Sequence, residues 1–205
     1  MFPLEQTILP TAIVPLHIFE ARYRQFAADI TPRPEPEFGI APIERGGEVG
    51  GDDQRANVGI VARVIQHEEF SDGRWGIVAL ATRRIRVHEW LTDDPYPRAM
   101  VDDWPDQDAA EPRPDAVAEV ARLAGVLDRV RRAVERLAPQ QELPDWALPD
   151  DPAQAIWTSA VAAQLGAYDA AQLLRSEGTG DRLPLAVEMI EERAAVLEAL
   201  ADERG

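Results

Sequence analysis

The pattern of hydrophobic and polar positions changes near residue 105. Before this point, short runs of Val, Ile, Trp and Tyr are broken by Gly and Pro, which is typical of strands and turns. After it, Ala and Leu recur at the spacing of a helix face. Residues 105–114, rich in proline and acid, favour neither structure. We therefore predict a strand-rich subdomain over 1–104, a linker over 105–114 and a helical bundle over 115–205.

The first subdomain is predicted to hold one helix over 18–30, where apolar residues fall at spacings of three and four. Pro10 and Pro15 interrupt the apolar run at 8–16; because proline cannot donate to a ladder, this run predicts short or edge strands. Five further strands are expected at 38–43, 58–65, 74–81, 84–89 and 96–101. Such short strands predict a small barrel, closed or half-closed.

Two local patterns place the middle of the predicted sheet. The strand at 58–65 is apolar on both faces for half its length, so we expect it near the centre. It is joined to the strand at 74–81 through Ser71-Asp72-Gly73, since Asp-Gly tolerates the positive φ that hairpin turns require. The two strands are therefore predicted to form a hairpin.

The second subdomain is predicted to be a bundle of four helices. An apolar stripe from Val117 to Leu137 predicts one long helix of about 22 residues. Three further helices are expected to begin with aspartate caps, the first at Asp150 or Asp151, the others at Asp169 and Asp181. Gly178 and Gly180 are expected to end the third helix. Together these patterns predict an antiparallel helical bundle.

Composition removes several classes of enzyme. All 21 basic residues are arginine, and the 205 residues contain neither lysine nor cysteine. The chain therefore has no phosphate-loop lysine, Schiff base, Ser-Lys dyad, thiolate nucleophile or cysteine-ligated zinc. None of the three serines lies in a nucleophile elbow, and the three histidines lack metal-ligand spacing. We predict no catalytic, cofactor-binding or metal-binding residues.

The glycine-rich stretch at 46–51 is the one candidate for a phosphate-binding loop. It lacks lysine, precedes no evident helix and lies beside Asp52 and Asp53, whose negative charge would repel phosphate. We therefore predict a flexible loop without bound phosphate.

The net charge of −16 argues against nucleic acid as a partner, because a protein that binds a duplex needs a basic face. RNA binding remains an alternative through one strip of basic residues on a predicted strand: Arg83, Arg84, Arg86 and His88. The hypothesis requires that these side chains form a contiguous positive patch. It fails if neighbouring acids neutralise them: Glu68, Glu69 and Glu89.

Neither a signal peptide nor a transmembrane run of about 18 apolar residues is present in the sequence, so we expect a cytoplasmic protein without a membrane partner. The groups that the first subdomain offers for binding are aromatic side chains. Large aromatic side chains can line a groove for an extended or unfolded segment. Most are expected in the core, and any exposed ones would mark the binding face. The candidates are Phe2, Phe19, Tyr23, Phe70, Trp75, Trp90 and Tyr96.

The segment from Pro15 to Arg24, Pro-Leu-His-Ile-Phe-Glu-Ala-Arg-Tyr-Arg, resembles the signature of the Lon protease N-terminal (substrate-binding) domain. Similar segments follow in that family's order: Phe-Gly-Ile at 38–40, Val-Gly-Ile-Val-Ala-Arg-Val at 58–64, Asp-Gly-Arg at 72–74, Arg-Arg-Ile-Arg-Val at 83–87, Pro-Tyr at 95–96, Leu-Leu at 173–174 and Arg-Leu at 182–183. The chain departs from the family at Pro10-Thr11, where Pro-Gly is usual, and at Ala21, where proline is usual.

The resemblance implies an α+β fold, a PUA-like β-barrel of five or six strands plus one helix followed by an α-helical bundle. It also implies recognition of protein substrates and oligomer contacts. Full Lon proteases continue into an ATPase domain and a Ser-Lys peptidase domain, for which this chain lacks the lysines. We therefore expect a stand-alone, non-catalytic bacterial module that binds unfolded or extended polypeptide without a cofactor. A narrower form makes it an adaptor in protein quality control, with a protease or chaperone as partner.

Two points stay open at this stage. Besides the RNA-binding alternative, a hydrolase or metal-dependent enzyme with a site between barrel and bundle is the third hypothesis, and it predicts buried, convergent polar groups there. Within the signature, we expect Phe19 and Tyr23 in the core, and Glu20 and Arg22 in polar contacts to the barrel, with functional contact as the less favoured role of each.

Overall fold

The computed structural model describes residues 1–45, 54–111, 113–140, 142–144 and 146–204. The stretch at 46–51, predicted as a loop, lies outside the described residues. The chain divides into two compact units, which we call unit 1 (Met1–Pro105) and unit 2 (Asp106–Gly205). Unit 1 contains the strands and one helix, and unit 2 contains the remaining helices.

Unit 1 is a mixed sheet with one helix. Its elements are β1 (Phe2–Leu4), β2 (Ile13–Ile18), α1 (Ala21–Ile30), β3 (Glu37–Arg45), β4 (Gln54–Arg55), β5 (Val58–Glu69), β6 (Trp75–Leu91) and β7 (Arg98–Asp103). The strand order is β1-β3-β5-β6-β2, with β4 paired to β3 and β7 paired to β6. The pair of β1 with β3 is parallel, and the other pairs are antiparallel.

The centre of this sheet is the predicted hairpin of β5 and β6. Strand β5 pairs on both sides, with β3 and with β6, as its two apolar faces predict. The turn between β5 and β6 places Gly73 at φ +78°, and the Asp72 carboxylate accepts a hydrogen bond from the Arg74 backbone N–H at 3.1 Å. Both the central strand and the hairpin are therefore confirmed.

The α+β class is confirmed, and the structure sharpens the architecture. The sheet has seven strands rather than five or six, and it is open: β1 and β2 end the order, and no pairing among the described strands joins them. The two strands expected at 74–81 and 84–89 are one strand, β6, because no Gly or Pro interrupts it between them. A register shift between Val61 and Ala62 accommodates this long strand in the ladder.

Helix α1 is shorter than its apolar spacing predicts. It begins at Ala21 rather than at 18, because Ile18 is the last residue of β2 and is 1% exposed in the core. Phe26 and Ile30 carry the buried face of the helix against the sheet's apolar layer. The turn from β2 into α1 therefore consists of Phe19 and Glu20, which belong to neither element.

Unit 2 contains α2 (Ala116–Leu137), α3 (Pro152–Ala162), α4 (Ala167–Arg175) and α5 (Thr179–Arg204). Helix α2 has the 22 residues that its apolar stripe predicts, and it packs against α3 and α5. The core of the unit is formed by large aliphatic side chains: Leu123, Leu127, Val130, Ile156, Leu173, Leu174, Val187 and Ile190. Over the described part of the chain, no helix combines the length and the apolar character needed to span a membrane.

One of the three predicted aspartate caps is confirmed. The Asp151 side chain accepts a hydrogen bond from the Gln154 backbone N–H at 2.9 Å, as expected for an N-cap. The other two predictions are wrong. Helix α4 begins after Gly166, so that Asp169 lies inside its first turn. Helix α5 begins at Thr179, before Asp181.

The N-terminus of α5 is capped from 71 residues away. The Asp108 carboxylate accepts hydrogen bonds from the backbone N–H groups of Thr179 at 2.8 Å and Gly180 at 2.7 Å. The prediction that Gly178 ends α4 is wrong, because α4 ends at Arg175. Gly178 instead leaves room for the Asp108 carboxylate, because a Cβ at Gly178 would lie 2.5 Å from Asp108 Oδ1.

A buried arginine joins the same segment to the bundle. Arg182 is fully buried and donates two hydrogen bonds to the Asp106 carboxylate, at 2.7 and 2.8 Å. Its Nε donates to Ser176 Oγ at 2.9 Å, and its guanidinium lies 4.0 Å from the ring centroid of Trp157. The start of the segment that composition marks as a linker is thus part of the polar core of unit 2.

Candidate binding groove

A groove of about 240 Å³ is lined by β1, by β2 and by the first residues of α1. Since β1 and β2 are the two ends of the open sheet, the groove lies at the sheet's unpaired edges. Its wall combines apolar and aromatic side chains with polar atoms, with contributions from Phe2, Leu4, Pro15, His17, Phe19 and Tyr23. Three of the seven aromatic residues predicted from the sequence meet here.

The aromatic wall of the groove is continuous with the core. The ring centroids of Phe2 and Tyr23 lie 4.4 Å apart, and Phe2 is 5.8 Å from Phe26. Phe26 in turn packs edge-on against Phe38, with ring centroids 5.2 Å apart. Tyr23 is 6% exposed, which agrees with its expected place in the core. The groove floor is therefore held rigid by packed rings, because a close-packed cluster fixes their rotamers.

Phe19 is not in the core. Its side chain is 58% exposed, although the sequence pattern predicts it buried on the face of a helix that begins at 18. The prediction is wrong because the helix begins three residues later, at Ala21, so Phe19 lies in the turn after β2. An aromatic ring at this exposure beside the groove makes the groove a candidate binding surface.

Glu20 and Arg22 lie beside the groove as an ion pair, with Arg22 Nε 3.1 Å from Glu20 Oε2. The Arg22 guanidinium also lies 4.7 Å from the ring centroid of Tyr23. The pair therefore lies at the edge of the groove, next to its aromatic wall.

Strand β2 pairs only with β6 among the described strands, so one of its edges is open. Just before β2, the Ala12 carbonyl accepts a hydrogen bond from the Ala81 N–H of β6 at 2.9 Å, so the carbonyl of residue 12 points toward β6. Backbone groups alternate along a strand, so those of Ile13, Pro15 and His17 point away from β6. The edge-strand prediction made from Pro15 is confirmed, since its missing N–H costs no ladder bond there.

The other four aromatic candidates lie away from the groove wall. Tyr96 packs on Phe26, with ring centroids 5.3 Å apart, and donates a hydrogen bond to Asp29 at 2.9 Å. Burial, followed by this contact with the Asp29 carboxylate, raises the pKa of Tyr96. Tyr96 thus belongs to the same aromatic cluster from its other side, without lining the groove.

Phe70, Trp75 and Trp90 lie in three further places. Phe70 lies 6.2 Å from the His17 ring, on the β5–β6 turn. Trp75 is 8% exposed in β6 and offers little surface to a ligand. Trp90 donates its Nε1–H to the Ala56 carbonyl at 3.3 Å. The structure does not bring these three together with Phe19.

The side chains of the basic strip predicted from the sequence, residues 83–88, contact other side chains of unit 1. Arg83 forms ion pairs with Glu37 and Asp103, each at 2.8 Å. The hydrogen bonds that Arg83 donates to these carboxylates raise the pKa of Arg83, and the bonds that Glu37 accepts from Arg83 lower the pKa of Glu37. His88 Nε2 lies 2.6 Å from an Asp102 oxygen. The neutralising acids are thus different from the three glutamates considered in the sequence.

The two remaining arginines of the strip stack on one tryptophan. The guanidinium groups of Arg84 and Arg86 lie 4.4 and 4.0 Å from the Trp104 ring centroid. Arg84 is only 4% exposed. The strip does not present the contiguous accessible positive charge that phosphate contacts require, so the RNA alternative is not taken further.

The described residues offer little for chemistry. Within the described ranges, no group of three or more His, Asp or Glu side chains is placed to hold a metal ion. Ser159 Oγ donates to the Ile156 carbonyl at 2.9 Å, and Ser176 Oγ donates to the Leu173 carbonyl at 2.7 Å. Ser71 lies exposed in the hairpin turn. The groove offers apolar and aromatic side chains together with polar groups.

The sequence missed half of this site. Leu4, Pro15 and His17 line the groove but carry no aromatic signal that would single them out, apart from the histidine ring. The available signal was Pro15, which predicts an edge strand. An edge strand followed by an exposed aromatic residue points to a binding edge, but this combination requires knowing where β2 ends.

Comparisons with known proteins place the chain in a family. A model of the ATP-dependent protease La (LON) substrate-binding domain matches residues 1–192. A crystal structure of a Lon N-terminal domain protein from Xanthomonas campestris is 26% identical, with a TM-score of 0.64, and covers 91% of this chain and 95% of that chain. The N-terminal domain of a Mycobacterium avium complex Lon protease shares the fold at 18% identity, with a TM-score of 0.62, covering 92% of this chain and 95% of that chain. Among curated proteins no sequence matches. The chain belongs to the family of ATP-dependent protease La (LON) substrate-binding domains.

Proposed function

We propose that this chain recognises polypeptide segments through the groove lined by β1, β2 and the start of α1. The observation that carries the proposal is the exposed ring of Phe19, 58% accessible, beside an aromatic groove at the open edge of the sheet. Membership of a substrate-binding family supports the same role.

The energetic basis is the burial of apolar surface. An exposed phenylalanine gains about 1.5–3 kcal/mol when it is fully buried, and a bound apolar side chain would cover it. The groove floor of Phe2 and Tyr23 is already ordered, so little conformational entropy is lost there on binding. A recognition site of this kind tolerates many sequences, because apolar burial has no direction.

The proposal does not include catalysis. The 205 residues contain no lysine, so neither a phosphate-loop lysine nor a Ser-Lys dyad lies within them. We place the protein in the cytoplasm, as an adaptor that presents unfolded or extended clients to a partner protease or chaperone. In this role it binds no cofactor, and its acidic surface disfavours nucleic acid.

Binding measurements with a matched pair of variants test the proposal. Fluorescently labelled peptides from an unfolded protein are titrated with the full chain, with Phe19→Ala and with Tyr168→Ala. Tyr168 is the control because it is also an exposed aromatic residue, at 76%, but lies on α4 in unit 2.

We expect Phe19→Ala to weaken binding about tenfold or more, as truncating an anchor residue costs upwards of about 1 kcal/mol. Tyr168→Ala should bind like the unchanged chain. Both side chains are exposed, so both variants should keep their stability. Absence of binding at millimolar peptide, or an equal loss in both variants, would contradict the proposal.

A further inference from the structure

We propose that the bound segment adds to the sheet as an extra β-strand along the open edge of β2. This rests on the proposed function and specifies how the groove is used. Strand addition draws its affinity from main-chain hydrogen bonds and its specificity from side chains at alternate positions. Both requirements can be examined on the residues of β2.

The open edge of β2 has a defined set of hydrogen-bonding groups. The backbone groups of Ile13, Pro15 and His17 point away from β6, as the Ala12 to Ala81 bond fixes the alternation. The edge therefore presents three carbonyl acceptors and only two N–H donors, because Pro15 has none. A segment pairing with it must supply N–H groups on alternate residues.

The side chains of β2 decide what the segment must carry. Leu16 and Ile18 are buried on the inner face and also line the groove, together with Phe2 and Tyr23. Side chains of an added strand lie beside those of its neighbour on the same face. Alternate residues of the segment would therefore enter the groove, and they must be apolar.

The remaining positions of the segment face outward, beside Pro15 and His17, which are exposed. The net charge of the chain is −16, so its field attracts cationic partners and repels acidic ones. The structure thus points to an extended cationic segment in which Lys or Arg alternates with large apolar residues. A second copy of this chain, equally acidic, is disfavoured as the occupant.

The experiment uses the full chain and three versions of one peptide of eight residues, in which Phe or Val alternates with Arg. One peptide is unmodified, the second carries N-methyl groups on the apolar residues, and the third carries them on the arginines. N-methylation removes a backbone donor without changing a side chain. Affinity is measured by calorimetry, and amide hydrogen exchange is recorded for the chain with and without the unmodified peptide.

Strand addition predicts that one methylated peptide loses affinity at least tenfold while the other binds like the unmodified one. It also predicts that exchange at the Ile13 and His17 amides slows at least tenfold on binding. The amide of Val14, which already faces β6, should change little. Any other pattern with a bound unmodified peptide overturns strand addition and leaves polypeptide recognition standing. Failure of the unmodified peptide to bind, or self-association of the chain through β2 in its place, overturns both.

Discussion

Buried polar residues are distributed unequally between the two units. Among the described residues of unit 1, the buried polar side chain is Arg84, stacked on Trp104, whereas unit 2 buries Ser159, Thr179 and Arg182. Of these, Thr179 and Arg182 join segments more than 70 residues apart through hydrogen bonds to Asp106. Unit 1 depends mainly on apolar packing and leaves a strand edge open.

This difference indicates where binding is possible. At the N-terminus of α5, Asp108 already accepts hydrogen bonds from the backbone N–H groups of Thr179 and Gly180, so these two donors are not available to a ligand. Unit 1 keeps the backbone edge of β2 and the ring of Phe19 accessible. Polar groups therefore fix the arrangement of helices in unit 2, and exposed groups in unit 1 are available for recognition.

The largest expected effect is in the polar core of unit 2. Asp106→Ala leaves the fully buried Arg182 without its carboxylate, which should cost about 3–5 kcal/mol of unfolding free energy. Urea unfolding followed by the amide resonances of each unit measures this, and unit 1 should be unchanged. The control is Asp202→Ala, which removes an exposed pair with Arg136 and should cost less than about 1 kcal/mol. Similar losses in both variants would show that the buried pair has no special role.

Apolar packing in unit 1 should respond to a single methyl group. Gly59→Ala would place a Cβ 2.2 Å from the Ile40 carbonyl oxygen of the neighbouring strand, and we expect a loss of about 1–3 kcal/mol. Gly125→Ala in α2 is the matched change, because its Cβ would meet nothing within 4 Å. It should stabilise unit 2 by about 0.5–1 kcal/mol through helix propensity. In the same unfolding assay, Gly59→Ala should lower the free energy of unfolding and Gly125→Ala should raise it. Changes of the same sign in both variants would refute this expectation.

Each unit has one described residue other than glycine at positive φ. Thr11, at φ +73°, is the third residue of a turn in which Ala12 N–H donates to the Leu9 carbonyl at 3.2 Å. Such a turn favours glycine, and a β-branched residue is the most strained there. In thermal unfolding, Thr11→Gly should raise the free energy of unfolding of unit 1 by about 1 kcal/mol. Gln164→Gly, at φ +52° in unit 2, should raise the free energy of unfolding by less; a larger increase there would contradict this account of the strain.

The smallest effect is a pH dependence of unit 2. Burial opposes ionisation of Asp108, but hydrogen bonds from the backbone N–H groups of Gly180 and Thr179 lower its pKa overall. Because the folded pKa is below the unfolded one, the stabilisation is complete above about pH 4 and is lost as the pH falls further. Asp108→Asn should therefore reduce the acid-induced loss of unfolding free energy in unit 2. Asp181→Asn, an equal charge change in the same helical turn, should leave that loss unchanged; if it does not, the cap is not its source.

Local patterns predicted the elements whose causes are local. The apolar stripe of α2 gave its length, and Asp151 caps the helix that follows it in sequence. Asp181 failed as a cap because the start of α5 is fixed by Asp108, a contact that no local pattern contains. Asp169 failed because α4 begins after Gly166, which places Asp169 inside its first turn. The sequence left open whether the sheet closes fully, since closure depends on whether β1 and β2 meet in space.

The candidate site was predicted in part for the same reason. Phe2, Phe19 and Tyr23 were selected as aromatic residues, and Pro15 indicated an edge strand. The groove requires β1 and β2 to come from the two ends of the sheet order, which only the tertiary structure provides. Phe19 was predicted to be buried but is exposed, because the helix begins after it and its side chain does not lie on the buried helix face.

The central claim is that polypeptide binds at the β2 edge of unit 1. Chemical-shift mapping of the isotope-labelled full chain with a cationic, apolar-alternating peptide tests it most directly. The account predicts that the largest shifts fall on β1, on β2 and on Phe19, with the amides of α5 unmoved. Shifts concentrated in unit 2, or no shifts at millimolar peptide, would contradict it.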